Sequence, residues 1–164
     1  MENYPISHSF HPIIDHRATT LILGSFPSVT SREDDFYYMH PQNRFWKILT
    51  AIYHDDFLNA PIEDKKRLLH KHKLALYDVI EQCRIKQSAD HTITDVQPAD
   101  IPALVENTQI RKILLNGRTA ERLFLKHHPS LRKQAMYVPS TSPANARYTL
   151  DDLIQSWETA LKKS

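Results

Sequence analysis

The sequence predicts an α/β fold, a three-layer α/β/α sandwich on a short, mostly parallel four-stranded sheet. Four short aliphatic segments alternate with segments of helical periodicity, which is typical of a parallel sheet covered by helices on both faces. The 164 residues fit one domain, spanning 1–164. Both glycines, Gly24 and Gly117, directly follow an aliphatic segment. They mark the points where a buried strand passes into a loop or helix.

Composition excludes several classes of protein. Lys and Arg together number 21 and Asp and Glu 19, so the net charge permits nucleic-acid binding without arguing for it. Cys83 is the single cysteine, which excludes an intramolecular disulfide and a cysteine-ligated cluster. The chain has no apolar run of the roughly 20 residues needed to cross a bilayer. Its first residues also lack the features of a signal peptide. We therefore expect a cytoplasmic protein with no membrane contact.

The first half of the chain is assigned from its periodicity. Residues 1–18 contain prolines and histidines without a repeat and predict an ordered arm over the sheet. The histidines of this arm have no convincing carboxylate beside them and are interpreted as structural rather than metal-binding. The continuous aliphatic run 19–23 predicts the first strand, and apolar residues at helical spacing predict a helix at 43–53. A helix at 62–72 begins after Pro61, with acidic residues in its first turn.

The second half continues the alternation. Residues 73–80 predict a strand, with a helix possible at the Asp78 end, and 81–97 have no pattern and predict a long irregular surface segment. Asp100 or Pro102 begins a short helix to about residue 107. Strands at 111–115 and 134–138 enclose a helix at 118–127, and a last helix covers 150–161 with its apolar residues on one face.

Two polar loops follow the first and last predicted strands. Residues 24–44 are rich in hydroxyls, charges and aromatic rings, and residues 139–145 read Pro-Ser-Thr-Ser-Pro-Ala-Asn. Because the carboxyl ends of parallel strands lie at one edge of a sheet, we expect both loops to face one crevice. This crevice is the predicted functional site.

These loops resemble the motifs of a known enzyme family. Gly24-Ser25-Phe26-Pro27-Ser28 and the run from His40 to Trp46 (His-Pro-Gln-Asn-Arg-Phe-Trp) are similar to the first motif region of the uracil-DNA glycosylase superfamily. The match is best to its hypoxanthine-DNA glycosylase branch, also called DNA-deoxyinosine glycosylase. Residues 139–145 resemble the second motif of that branch, and 113–117 its penultimate strand and turn. Order and spacing match along nearly the whole chain.

The resemblance implies a cofactor-free, metal-free, monomeric glycosylase acting on DNA that contains a deaminated base. It departs from other branches at Phe26, where they carry a residue that orients water, and at 140–142, which lack a histidine. Uracil cleavage by the usual apparatus is thereby disfavoured. By resemblance and chemistry, Asn43 and His40 are the catalytic candidates, and Asn43 is equally suited to cap the following helix. The predicted base-binding residues are Gly24, Ser25, Phe26, Phe36 and Tyr38, and the predicted DNA-binding residues are Ser28, Ser31, Ser140, Ser142, Pro143 and Asn145.

Other interpretations remain open at this point. The acidic run 33–35 and Asp78 offer carboxylates, although adjacent acids in a loop are more often solvated than catalytic. Serine and proline are also ordinary turn formers. The nearest rival function is excision of uracil or xanthine. A rival of another class is a non-catalytic DNA-binding or small-ligand α/β module, for which Phe26 is the hint.

Overall fold

The computed structural model describes residues 4–163, so residues 1–3 of the predicted arm and residue 164 lie outside the described residues. The elements are β1 (Ile6–Ser7), β2 (Thr20–Gly24), α1 (Val29–Asp34), α2 (Phe45–Tyr53), α3 (Ile62–Lys71), β3 (Leu74–Asp78), β4 (Ile80–Arg84), β5 (Thr94–Pro98), α4 (Ile101–Val105), β6 (Lys112–Asn116), α5 (Arg118–His127), β7 (Ala135–Val138) and α6 (Leu150–Lys162). Within residues 4–163, each helix is too short or too polar to span a membrane.

A four-stranded parallel sheet with the order β3-β2-β6-β7 forms the centre of the molecule. Every residue of β2 and β3 is buried, as expected for strands covered on both faces. Helix α3 packs on β3, α5 on β6, and α6 on β7 and α2. The predicted α/β architecture and its four-stranded parallel sheet are confirmed.

The predicted irregular segment 81–97 is wrong, because it contains two strands of a second sheet. β4 and β5 pair antiparallel, and β1 pairs with the other edge of β4. The β4–β5 register shifts twice, and only Ile80 and Cys83 of β4 are buried. Inward positions three residues apart break the two-residue alternation that identifies a strand in sequence.

The polar segment after β2 is more ordered than a loop. It contains α1, whose first turn is capped by Ser28, the side chain of which accepts the Ser31 backbone N–H. The acidic run 33–35 ends this helix and is exposed, in agreement with the solvated interpretation. The described part of the N-terminal arm is also ordered, since Ile13 exchanges backbone hydrogen bonds with Leu76 at 2.8 and 3.0 Å.

Candidate active site

A cleft of about 890 Å³ opens beyond the carboxyl ends of the four parallel strands. Gly24, Asp78 and Asn116 end β2, β3 and β6, and all three line it. The chain crosses from β2 to β3 on one side and later reaches β6 on the other, so the strand order reverses at β2. Such a switch point is where open α/β sheets bind their ligands, and the volume suits a ligand pocket.

Both predicted loops face this cleft, and twelve of the thirteen predicted site residues line it. These twelve are Gly24, Ser25, Phe26, Ser28, Ser31, Tyr38, His40, Asn43, Ser140, Ser142, Pro143 and Asn145. Gly24 and Asn145, 121 positions apart in the chain, are therefore brought to one edge of the sheet.

Phe36 does not line the cleft, so its assignment to the predicted base-binding residues is wrong. Its side chain is 2% exposed and stacks nearly parallel on Trp46, with ring centroids 5.8 Å apart. It borders a separate cavity of about 430 Å³ beside the N-terminal arm. A packed aromatic on this side cannot contact a base in the cleft, and Phe36 belongs to the core.

Ser31 also has a structural part that the sequence did not indicate. It is 1% exposed, its hydroxyl accepts the Met39 N–H at 2.9 Å, and it receives the Ser28 hydroxyl at 3.2 Å. These contacts secure α1 against the following turn. Both bonds are accepted by the Ser31 hydroxyl, which serves the turn, and its predicted DNA contact stays a prediction.

Asn43 and His40 stand on the turn that leads into α2. The Asn43 Oδ1 atom accepts the Phe45 N–H at 3.0 Å, a local turn contact at the start of α2. The N-cap of α2 is Arg44 rather than Asn43, so the capping role weighed from the sequence is replaced by this contact one residue earlier. This bond uses one lone pair of Oδ1, while the amide retains a second lone pair and two N–H donors. The His40 Nδ1 atom accepts the Gln42 N–H at 3.1 Å, which leaves Nε2 as its second polar atom. Both side chains thus have polar capacity beyond their local contacts.

Tyr38 lies at the floor of the cleft in an unusual backbone conformation. Its φ is +56°, in the left-handed region that side chains seldom adopt, and its ring packs on Phe45 with centroids 4.1 Å apart. The hydroxyl is buried and has no hydrogen-bond partner of ordinary geometry among residues 4–163. Burial raises the pKa of this hydroxyl, and the Asp78 charge adds to the rise. Tyr38 therefore remains a phenol O–H and can donate a hydrogen bond.

Two carboxylates also reach the cleft. Asp78, weighed from the sequence as a possible site residue, is 3% exposed and lies 2.8 Å from the Nε2 atom of His8. Asp90, which sequence reasoning missed, accepts the Ser25 hydroxyl at 3.0 and 3.1 Å. Asp90 comes from the connection between β4 and β5, where the sequence had no pattern to mark it.

The loop after β7 is folded by its own hydroxyls. The Ser140 Oγ atom accepts the Ser142 N–H and the Ser142 Oγ atom accepts the Ala144 N–H, each at 3.1 Å. Thr141 and Asn116 exchange two bonds of 3.1 Å, which tie the loop to the end of β6. The turn-forming interpretation of these serines is therefore correct. Each hydroxyl still holds its proton and can donate to a phosphate.

Arg44 joins the two loops and was not assigned a function from the sequence. Its guanidinium donates to the carbonyls of Tyr148 at 2.6 Å, Ser142 at 2.8 Å and Asn145 at 2.9 Å. Its backbone N–H donates to the Thr141 carbonyl at 3.1 Å. One rigid cation thereby holds the second loop at a set distance from α2.

We expect Arg44→Met to loosen the loop of residues 139–149. Loss of charge-assisted bonds to three carbonyls should lower the free energy of unfolding by about 2–4 kcal/mol. Urea titration measures this change, and limited proteolysis should show cleavage within the loop. Lys162→Met is the matched control, because Lys162 makes only an exposed pair with Glu158 and should cost less than about 1 kcal/mol. Equal losses for the two variants would contradict the assigned role.

Positive charge at the cleft comes from α5, which sequence reasoning also did not single out. Arg118 and Arg122 line the cleft from the first two turns of this helix. The Arg118 guanidinium stacks over the Tyr137 ring at 3.5 Å and pairs with Glu121 at 2.8 Å. This side of the cleft is suited to the phosphates of a nucleic acid.

Within residues 4–163, acidic residues, histidines and the cysteine form no cluster of three or more that could hold a metal ion. Of the histidines in the N-terminal arm, His8 instead lies 2.8 Å from Asp78.

Comparison with known proteins agrees with the geometry. The family model described as the uracil DNA glycosylase superfamily matches residues 11–161. A protein named hypoxanthine DNA glycosylase from Methanosarcina barkeri is 28% identical over 158 residues, covering 94% of this chain and 97% of the relative. One of the same name from Methanosarcina acetivorans is 29% identical over 161 residues, covering 96% and 99%. A solution NMR structure from M. acetivorans, assigned provisionally as a uracil DNA glycosylase, superposes with a TM-score of 0.79 at 29% identity, covering 93% of this chain and 94% of the other.

Proposed function

The chain belongs to the uracil-DNA glycosylase superfamily, and on this premise we propose that it is a monofunctional DNA glycosylase that releases hypoxanthine from deoxyinosine. The observation that carries the proposal is the cleft of about 890 Å³ at the strand ends, where an amide, aromatic rings and hydroxyls converge. Two near full-length relatives are named hypoxanthine DNA glycosylase, which supports this choice of base.

The reaction is a hydrolysis. The bond between C1′ of the sugar and N9 of the base breaks, and the base leaves with the bonding electron pair. The oxygen of a water molecule bonds to C1′, and the proton that this water loses is transferred to the departing base. The products are neutral hypoxanthine and an abasic site. The enzyme must therefore hold an extruded base, orient a water and favour the cation-like sugar.

Asn43 is our candidate for orienting the water. Its Oδ1 atom is already anchored by the Phe45 N–H, so the amide is held in place before substrate binds. Preorganised dipoles of this kind act without reorganising during the reaction. His40 lines the same side of the cleft and is the second catalytic candidate.

Phe26 is our candidate for the wall against which the extruded base stacks. It lines the cleft and is 8% exposed, and His8 packs edge-on to its ring at a centroid distance of 6.1 Å. A rigid ring of this kind offers a flat apolar surface, and stacking of a base on such a ring is worth roughly 1–3 kcal/mol. Stacking offsets part of the cost of removing the nucleotide from the duplex.

The loop after β7 is our candidate for the DNA contact. Ser140, Ser142 and Asn145 would donate to phosphates flanking the extruded nucleotide. Ser28 could join them only by turning its proton from the Ser31 hydroxyl towards the cleft. Pro143 and Ala144 are exposed at the tip of the loop and are placed to wedge into the duplex. Gly24 and Ser25 form the floor on which the base would rest.

The remaining proposals follow from the same function. We infer that residues 1–164 form a single glycosylase domain acting as a cytoplasmic monomer on DNA, without a cofactor.

Base release tests the proposed function directly. Labelled duplexes each contain one deoxyinosine, deoxyuridine or deoxyxanthosine, and hot alkali then cuts at abasic sites. We expect strong cutting at deoxyinosine, and cutting mainly at one of the other bases would assign that base instead. Salt-dependent binding of the deoxyinosine duplex without any cutting would replace the proposal with a non-catalytic DNA-binding module.

A further inference from the structure

Two polar groups meet at the floor of the cleft around Gly24. A Cβ atom built on Gly24 would lie 2.6 Å from the Asp78 Oδ1 atom and 3.1 Å from the Tyr38 hydroxyl. The absent side chain thus leaves the space in which an acceptor and a phenol O–H stand side by side. The Tyr38 hydroxyl is buried and makes no hydrogen bond of ordinary geometry among the described residues. The Asn116 side chain lies near enough to influence its pKa, but the Asn116 amide already exchanges two bonds with Thr141. A buried hydroxyl without a well-formed hydrogen bond costs free energy. The space beside Gly24, with the Asp78 acceptor and the Tyr38 donor next to it, indicates a binding position for a polar group of a ligand.

His8 determines which oxygen of the Asp78 carboxylate is free to accept a hydrogen bond in the cleft. Its side chain is fully buried, with Nε2 2.8 Å from the Asp78 Oδ2 atom and Nδ1 without a partner among residues 4–163. A proton on Nδ1 would be a buried donor with no acceptor, so the favoured tautomer carries its proton on Nε2 and donates it to Asp78. The Oδ1 atom then remains the carboxylate oxygen beside Gly24. The backbone of His8 is itself fixed, since its N–H donates to the Glu81 carbonyl of β4 at 2.7 Å.

We propose that Asp78 and Tyr38 read the lactam edge of the extruded base, and that His8 positions Asp78 for this contact. The Asp78 Oδ1 atom accepts the N1–H of hypoxanthine, and the Tyr38 hydroxyl donates to O6. This inference rests on the proposed function and adds the chemical feature that the base must present. The N-terminal arm and the second sheet gain a role, because together they hold His8 behind the carboxylate.

Asp78 and Tyr38 together would distinguish hypoxanthine from adenine, the base from which it forms by deamination. Adenine presents a lone pair at N1 and an amino group at C6, so the Asp78 carboxylate would face another acceptor. A site built to hydrogen-bond one pattern rejects the reversed pattern strongly, because its buried groups are left unpaired. Uracil carries the same lactam edge as hypoxanthine, as does guanine. The Asp78–Tyr38 contact therefore separates hypoxanthine from adenine, and other parts of the cleft must decide among the bases that share the lactam edge.

Binding to uncleaved DNA tests this inference independently of catalysis. Duplexes carry 2′-fluoro-2′-deoxyinosine or 2′-fluoro-2′-deoxyadenosine at one position, since the electron-withdrawing fluorine disfavours the sugar cation and slows cleavage. The full-length protein is compared with Tyr38→Phe and Asp78→Asn. Tyr53→Phe and Asp56→Asn are matched controls, because both residues lie far from the cleft lining. The readout is the ratio of dissociation constants for the adenosine and inosine duplexes.

We expect the unaltered protein and both controls to prefer the inosine duplex by at least about tenfold. Tyr38→Phe should lower the preference about three- to tenfold, and its fold should persist because the lost hydroxyl makes no hydrogen bond of ordinary geometry among residues 4–163. In Asp78→Asn the His8 N–H should hold the amide oxygen, so that the amide NH₂ faces the base. This donor suits N1 of adenine, and the preference should fall by tenfold or more.

Three results would overturn the inference. The first two are the absence of a preference in the unaltered protein and a preference that both variants retain. Equal weakening of both duplexes by Tyr38→Phe would also overturn it, since that is the result of a merely structural role. A different result would contradict the proposed function, namely that the unaltered protein releases no hypoxanthine. A variant-sensitive preference without release would support the inference while rejecting the function.

Discussion

Asn43→Ala is expected to lower the rate of hypoxanthine release by about 100-fold or more. Loss of one preorganised dipole at a reacting centre typically costs a factor of about 10²–10³. The measurement is single-turnover release from a deoxyinosine duplex at saturating enzyme, which isolates the chemical step from binding and product release.

The effect of the bond between Asn43 and the Phe45 N–H on stability must be separated from the effect of Asn43 on catalysis. Loss of the bond to the Phe45 N–H should reduce stability by about 1 kcal/mol in Asn43→Ala. Asn43→Ser retains a side-chain acceptor for that N–H but has no amide, so it should recover stability without recovering the rate. Asn59→Ala is the remote control, because the Asn59 amide contacts only Asp56 in an exposed turn. Recovery of the rate in Asn43→Ser would show that Asn43 acts only by holding the Phe45 N–H at the start of α2.

Gly24→Ala is expected to abolish most activity by a purely steric effect. The new methyl would lie 2.6 Å from the Asp78 Oδ1 atom, so either the carboxylate or β2 must shift. A misplacement of about 1 Å at a site can cost about 100-fold in rate. Overpacking of this kind should also reduce stability by about 1–3 kcal/mol. Base release and urea unfolding measure the two effects.

The clash with Asp78 predicts a specific coupling. In an Asp78→Ala background the methyl meets no carboxylate and only the Tyr38 hydroxyl, at 3.1 Å, remains close, so Gly24→Ala should cost less stability than in the unaltered protein. A double-mutant cycle should therefore give a coupling of about 1 kcal/mol or more between the two positions. Additive effects would contradict the geometry at the floor of the cleft, and the backbone of β2 would then be the cause of any loss.

The sequence by itself predicted the central sheet and the edge at which the site lies. The aliphatic runs that became β2 and β6 are continuous because both faces of a parallel strand are buried, and each ends at the residue that reaches the cleft. Strand direction alone then brings the loops after β2 and β7 together. Asn43 was identified from the chemistry of its amide and from the resemblance of its loop to the glycosylase motif, and its catalytic role remains a prediction.

Only the tertiary structure decided which polar and aromatic groups face the cleft. Phe36 and Tyr38 are two residues apart in one segment, yet Phe36 stacks in the core while the Tyr38 hydroxyl reaches the floor, because Tyr38 adopts a left-handed backbone conformation. His8 reaches Asp78 across 70 positions through the pairing of β1 with β4. Irregular register made that second sheet invisible to periodicity. Local pattern records which face of an element is buried, whereas contacts between distant segments depend on how those elements pack.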